Sequence, residues 1–460
     1  MKIISRTYRL STYILFFWSL SILVTGCDKE NLSTQFPEEE TEIDEDEVPL
    51  PRINIDTNNN AEIVDEPKIT AKIIISDDGI ISYQGNIGIE IRGASSQMFP
   101  KKSFGFETRD ENNEDMDVAL FDFPEEEDWI LYAPYSDKSL LRNVLIYDLS
   151  REINRYASRT LFAELSINNV YEGVYVFMEK LKRDSNRINI NKLKEDETSG
   201  ENLTGGYILK IDKTAGSNLG SGYNELNSFT THHLPKTYFM YDYPKAEDIT
   251  AEQKTYISNY ITEFENVLSA QNFTDPINGY ASYIEINSFI DFFLLNEISN
   301  NVDGFRLSTY MHKDKNEKLK MGPIWDFNLA FGNANYCDGG SSTVWAYKFN
   351  ERCPGDTWLV PFWWARFLED PTYVTLLKTR WAELRGSTFS EASILSKIDM
   401  YTSTLNKANA IDRNFKKWEI LGVYVWPNNF VGNTYEEENQ YLKDWIKDRL
   451  SWMDGAINKL

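Results

Sequence analysis

The chain predicts an α+β fold, and three observations carry that expectation. From Pro51 to about residue 108 the text is strand-like, with alternating apolar residues between turn signals. Beyond residue 356 the pattern is helical to the end. No internal repeat is visible, so neither part reads as a solenoid or an array. Apolar content of 42% and aromatic content of 14% describe a folded globular protein. The layout is antiparallel strands with helices grouped around them.

Taken in order, the first residues read as a targeting segment. Lys2, Arg6 and Arg9 form a positive start, and Tyr13 to Val24 is an apolar run. It ends in "LVTGC", which resembles a bacterial lipobox with Cys27 as the lipidated residue. An ordinary N-terminal membrane anchor is the other reading; both place the body outside the cytoplasm. "DKENLSTQFPEEETEIDEDEVPLP" follows, acidic and broken by proline, and reads as a flexible tether. "CDKEN" also resembles the surface-export signals of Bacteroidetes lipoproteins. The expected divisions are a signal peptide over 1–27, a tether over 28–51, a core over 52–385 and a helical extension packed on it over 386–460.

Strands are expected at "RINI", "ITAKIIIS", "IGIEIRG" and "KKSFGFET". The text from "FDFPEEEDWILY" to "REINRYA" then turns helical, with Ser139 as a candidate cap and Leu141, Leu145, Leu149 and Ile153 at four-residue spacing. "RTLFAELSIN" and "GVYVFMEK" form a hairpin across Asn168-Asn169, and "GGYILKID" is another strand. Thr250 and Gln253 sit at capping-box spacing before a helix. "SYIEINSFIDFFLLNEISNN" reads as a core helix, and "STYMHKD" with "KLKMGPIWDFNLAF" as a hairpin.

Net charge is −24, which disfavours nucleic acid and anionic membrane surfaces as partners. GxSxG, HExxH and GxxxxGK[ST] are all missing from the text, and the histidines are His232, His233 and His312. Carboxylates, amides and lysines remain as chemical equipment. Cys337 and Cys353 are either a disulfide, permitted outside the cytoplasm and closing a loop of about 17 residues worth ~3 kcal/mol, or two free buried thiols.

Asp303 follows an Asn-rich helix end beside Gly304. Asp326 and Asn328, two apart on an expected strand, would share one face and turn Trp325 and Phe327 to the other. Oxygen donors so placed suit Mg²⁺ with waters and a polyphosphate. A loop carboxylate and a downstream metal carboxylate are the minimal equipment of a protein kinase. Structural hydrogen bonds are the alternative for an Asp-x-Asn pair.

"IRGASSQMFPKKSF", "EGVYVFMEKLKRDSNRINI", "GGYILKID", "YDYPKAEDITAEQ" and "NNVDGFRLSTYMHKDKNEKLKMGPIWDFNLAFGN" resemble, in order, motifs of the spore coat protein H (CotH) kinase family. The resemblance runs from about Ile87 to Leu460. It implies an atypical protein-kinase-like core using ATP and Mg²⁺ (or Mn²⁺), with Asp303 as the catalytic aspartate and Asp326 as the metal-binding aspartate. Ordinary kinases place Asn five residues after the catalytic Asp, where this chain has Ser308, so Asn328 becomes the expected second metal ligand. "RGASS" offers backbone N–H groups and the Ser95 and Ser96 hydroxyls to phosphates. Lys102 is the expected phosphate-contacting lysine and Glu179 its carboxylate partner. A surface turn and an ordinary strand ion pair are the plainer readings of these four. Arg92 reads equally as a phosphate contact or a structural ion pair. Trp345, Trp358, Trp363 and Trp364 either stack a base or sugar or belong to the core.

The resulting expectation is an extracytoplasmic kinase, lipid-anchored to the bacterial outer membrane, that transfers the ATP γ-phosphate to Ser or Thr of secreted or envelope proteins. It would touch the membrane only through its N-terminal lipid and would bind no nucleic acid. A kinase-fold pseudokinase and a glycan-binding or glycan-processing surface lipoprotein are the alternatives.

Overall fold

The computed structural model describes residues 48–214 and 222–460. The expected signal peptide, Cys27 and nearly all of the tether lie outside the described residues. Asp46–Leu460 forms one compact unit.

Its first part is a closed barrel. β1 (Arg52–Asp56), β2 (Ile69–Asp77), β3 (Ile80–Arg92), β4 (Ser103–Arg109), β5 (Asp128–Tyr132), β6 (Thr160–Ile167) and β7 (Val170–Glu179) follow the order β1-β2-β3-β4-β5-β7-β6. A parallel β1–β6 pairing closes the ring, so this sheet has no free edge. Alternation sets its register: Ile53 opposes Ile75 and Ile55 opposes Ile73, and all four are buried inside. Asp78-Gly79 and Asn168-Asn169 turn the hairpins with positive φ at both residues, as tight two-residue turns require.

α1 (Arg142–Glu152) crosses between β5 and β6. It is shorter than the helical stretch expected from the text. "DWILY" is strand β5, because its β-branched and aromatic residues complete the barrel between β4 and β7. Ser139 does not cap α1; its hydroxyl donates to Asp137, which accepts the Arg142 N–H.

The second part is a smaller sheet wrapped in helices. β8 (Tyr207–Ile211), β9 (Ser228–Phe229), β10 (Phe239–Tyr243), β11 (Thr309–Lys313) and β12 (Lys320–Met321) take the order β12-β11-β8-β10-β9. α2 (Ala251–Ser269) begins with a complete Thr250–Gln253 capping box. α3 (Ile286–Ile298) is buried on all sides from Ser288 onward, which is why its pattern reads as apolar throughout. α4 (Phe349–Arg352), α5 (Trp363–Phe367), α6 (Pro371–Arg385), α7 (Glu391–Lys407), α8 (Ala410–Lys417) and α9 (Tyr435–Asn458) complete the chain.

The last helices are built into the core. Arg449 of α9 and Glu297 of α3, both 0% exposed, pair at 3.1 Å, and Glu297 also accepts the Ala346 and Tyr347 N–H groups. α8 packs on β7, and Asn414 accepts the Val174 N–H and the Lys101 ammonium. Trp363 and Trp364 are core residues that surround Phe264, Phe289 and Phe305.

Burial pulls the Lys101 ammonium down to about 7. Its ordinary value is near 10.5, so between the two the unfolded chain binds the extra proton and stability rises with pH. Unfolding free energy should therefore increase from pH 7 to 9, by up to ~1.4 kcal/mol per pH unit from this group. Denaturant titrations across that range should show the slope, and Lys101→Met should flatten it.

Candidate functional site

Where the barrel meets the helical part there is a cleft of about 500 Å³. Arg92, Ser95 and Ser96 line it from the barrel side, and Asp303, Asp326 and Asn328 from the other. Residues remote in sequence thus face one another across a volume suited to a cofactor-sized ligand.

Asp303 follows the Asn-rich end of α3. Asn300 donates to the Asp338, Gly339 and Ser341 carbonyls and Asn301 accepts the Asp303 N–H, so the asparagines set the loop rather than a ligand. One carboxylate oxygen of Asp303 is held: Oδ1 accepts Arg306 Nη2 at 2.8 Å and the Tyr336 hydroxyl at 3.4 Å. Oδ2 has no partner among the described residues. Arg306 is only 2% exposed, contacts Asp356 at 3.2 Å, and lies 3.9 Å over the Phe349 ring. A disulfide joins Cys337, next to Tyr336, to Cys353, just before Asp356, with Cα atoms 5.8 Å apart. The bonded loop thereby braces Asp303 from two directions.

Asp326 stands in irregular backbone, which corrects the expected hairpin: β12 ends at Met321. Its φ of +62° is left-handed and incompatible with a strand, so the same-face argument for Asp326 and Asn328 does not hold. α1 imposes this shape. The Tyr147 hydroxyl accepts the Asp326 N–H at 3.0 Å, and Asn143 Oδ1 accepts the Phe327 N–H at 2.7 Å. Phe327 is buried, but Trp325 lines the cleft, stacked on Tyr147 with Arg92 over its ring.

Water reaches the Asp326 side chain through the cleft, although protein surrounds it in most directions. That enclosure, then the charges of Asp303 and Asp212, push its carboxyl up to about 6, against the opposing pull of Lys213 and Arg92. Enclosure likewise lowers the basicity of Arg92. Carboxylates here repel one another, and local cations only partly offset it.

Asp212 was not foreseen. It follows β8 and lines the cleft; its carboxylate accepts the Lys213 N–H at 2.8 Å and the Ser308 N–H, and burial raises its pKa. The signal was in "YILKID": Lys210 and Asp212 alternate with buried Ile211, so both face the cleft from one strand end. Lys210 pairs with Asp242 at 2.9 Å, and that charge raises its pKa.

Lys102 and Glu179 do not form the expected pair. β5 lies between β4 and β7, so the two positions are not cross-strand neighbours. The Lys102 ammonium donates to the Gln97 carbonyl. Glu179 is buried with Arg159 and Tyr156, with Arg187 at 3.9 Å. Lys180, one residue on, lines the cleft and pairs with Asp128 at 2.9 Å. None of Trp345, Trp358, Trp363 and Trp364 lines the cleft; Ile130, Met178, Met240 and Leu307 are among the residues that give it apolar surface, with Trp325.

A family model described as CotH kinase protein matches residues 89–453. The chain belongs to the CotH kinase family. A search among curated proteins returns no match. The CotH match spans all the cleft residues named above, and membership suggests a kinase-type phosphotransferase function, with ATP and a divalent metal as the corresponding ligands. The CotH cleft fits that donor chemistry. Asp326, Asp212 and Asn328 offer hard oxygen ligands, while Arg92, Lys180 and Lys213 offer cations for phosphates. A tighter carboxylate group, Asp117, Glu126 and Glu127, lies within 4.8 Å elsewhere on the CotH domain, but Lys182 already sits against Glu126 and Glu127.

Proposed function

We propose that the protein is a lipid-anchored, extracytoplasmic protein kinase that transfers the ATP γ-phosphate to Ser or Thr of secreted or envelope proteins. The observation that carries the reading is Asp303, with one oxygen braced and one free, in the same cleft as Asp326 and Arg92. Asp303 Oδ2 is positioned to orient an acceptor hydroxyl and take its proton as the P–O bond forms. Arg306 and Tyr336 hold Oδ1, so the carboxylate cannot rotate away. Arg92, with Ser95 and Ser96, covers the phosphates from the barrel side, and the apolar cleft surface receives the base. Asp326 would be the principal ligand of Mg²⁺ or Mn²⁺ and Asn328 the weaker one. That ion would neutralise phosphate charge.

Transfer of radiolabel from [γ-³²P]ATP to envelope proteins tests the activity. Asp303→Asn should reduce transfer at least ~10²-fold while leaving nucleotide affinity within about twofold. Equal labelling by the variant would sink the catalytic role. The pseudokinase reading draws on Ser308 at the usual Asn position and on the missing Lys102–Glu179 pair; ATP binding without any transfer would establish it.

The lipobox-like "LVTGC" supports the anchor. Cys27→Ser should release the body from the outer membrane or accumulate precursor. Unchanged detergent-phase partitioning and processing would count against lipidation.

A further inference from the structure

A second cavity, of about 230 Å³, lies behind the segment that carries Asp326. Gly322, Pro323 and Ile324 line it, while the next two residues, Trp325 and Asp326, face the cleft. The end of α1 supplies Ser150 to one wall, and the same helix holds Asp326 through Tyr147. The two hollows therefore share a wall and a helix.

The charged lining is one-sided. Arg155, Arg187 and Lys320 reach the cavity, and no carboxylate among the described residues lines it. This is selective placement in a chain of net charge −24. Each cation is paired with carboxylates that do not line the hollow: Arg155 with Asp291 at 2.7 Å and Glu285 at 3.5 Å, Arg187 with Glu126 at 3.5 Å and Glu179 at 3.9 Å, and Lys320 with Glu317 at 2.5 Å. They fix the cations in place without occupying the hollow. Arg187 has a side chain only 1% exposed; its Nη1 donates to the Asp128 and Lys180 carbonyls and its Nη2 is held by the Glu126 charge rather than by a short hydrogen bond.

His312 ties the cavity wall to the Gly322 segment. Its Nδ1 lies 3.0 Å from the Gly322 carbonyl, which can only accept, so Nδ1 carries the proton. Burial lowers its basicity to about 4, which keeps the ring neutral near pH 7. Phe292, Leu295 and Ile324 give the rest of the cavity an apolar surface. Fixed cationic donors beside an apolar wall select an anion attached to a hydrophobic body.

We propose that this cavity is a second ligand site, separate from the cleft, for a small monoanion with an apolar body, of the aromatic carboxylate class. The carboxylate lies toward Lys320 and Arg155, and the ring packs on Leu295 and Ile324. Occupancy presses on Gly322–Ile324 and steadies the backbone that leads to Asp326.

Benzoate is the probe, with benzamide as its neutral counterpart and acetate as the anion lacking a ring. Ligand-observed NMR on the intact chain, without nucleotide or metal, should show saturation transfer to benzoate well above either control. Amide exchange across residues 321–327 should slow on addition. Lys320→Glu, a partly exposed change at the strand end, should weaken benzoate at least about tenfold. Leu295→Trp should block it by filling the space; if that variant does not fold, Lys320→Glu decides. Equal binding of benzamide or acetate, or benzoate affinity unchanged in Lys320→Glu, would overturn the proposal. No readout involves phosphoryl transfer, so the outcome is independent of the kinase reading.

Discussion

Asp326→Asn should abolish Mg²⁺-dependent nucleotide binding and leave the protein folded, slightly more stable than before. Both halves follow from the same electrostatics. The Asp326 carboxylate faces Asp303 and Asp212, has no hydrogen bond among the described residues, and is pushed up to about 6. Ionising it in the empty cleft therefore costs stability. For an acid whose folded value lies above its unfolded value, the unfolded chain loses its proton first. Stability then falls as pH rises from about 4 through 6, and the cost is fully present at pH 7. Removing the charge recovers on the order of 1 kcal/mol, well short of the full shift because cleft water screens it. The same substitution would remove the anionic ligand proposed for a divalent cation, which an amide dipole does not replace. Calorimetric titration of nucleotide with and without Mg²⁺, paired with a thermal midpoint taken without either, separates the effects. A midpoint lowered by many degrees with nucleotide affinity intact would make Asp326 architecture. Asn328→Asp is the converse change and should tighten metal-dependent binding.

Arg306→Ala should cost roughly 3–5 kcal/mol, the usual penalty for breaking a buried ion pair. Arg306 serves Asp303, Asp356 and the Val302 and Trp358 carbonyls at once, with its guanidinium over Phe349. Its loss strands two carboxylates and opens a void. Arg306→Lys is the sharper experiment. An ammonium keeps the charge but lacks the planar fork that reaches these partners together. That variant should stay folded and bind nucleotide normally, yet lose about 10–100-fold in kcat because Asp303 is no longer held in one rotamer. An unchanged kcat in Arg306→Lys would show that the brace has no part in transfer.

Several elements were legible because local rules and tertiary packing agree. The barrel strands alternate with period two, the Asn168-Asn169 turn needs left-handed residues, and Thr250 with Gln253 closes a capping box. "DWILY" was misread because its neighbours looked helical and its pairing partners, β4 and β7, lie far away in the chain. The 322–328 stretch was misread for a related reason. Its apolar run suits a strand, but Tyr147 and Asn143 of α1 take its backbone N–H groups and hold Asp326 left-handed.

The sequence by itself determined the α+β class and the residue types able to carry phosphoryl transfer, and its family motifs singled out two aspartates that line the cleft. Those are properties of composition, periodicity and motif, written within short windows of chain. Only the tertiary structure decided which cations and carboxylates meet. Arg92 faces Asp326 across more than two hundred residues, Asp212 joins it from β8, and Lys102 turns away to the Gln97 carbonyl. Charge interactions act through space, and which charges share a cleft is set by strand order, here by β5 lying between β4 and β7.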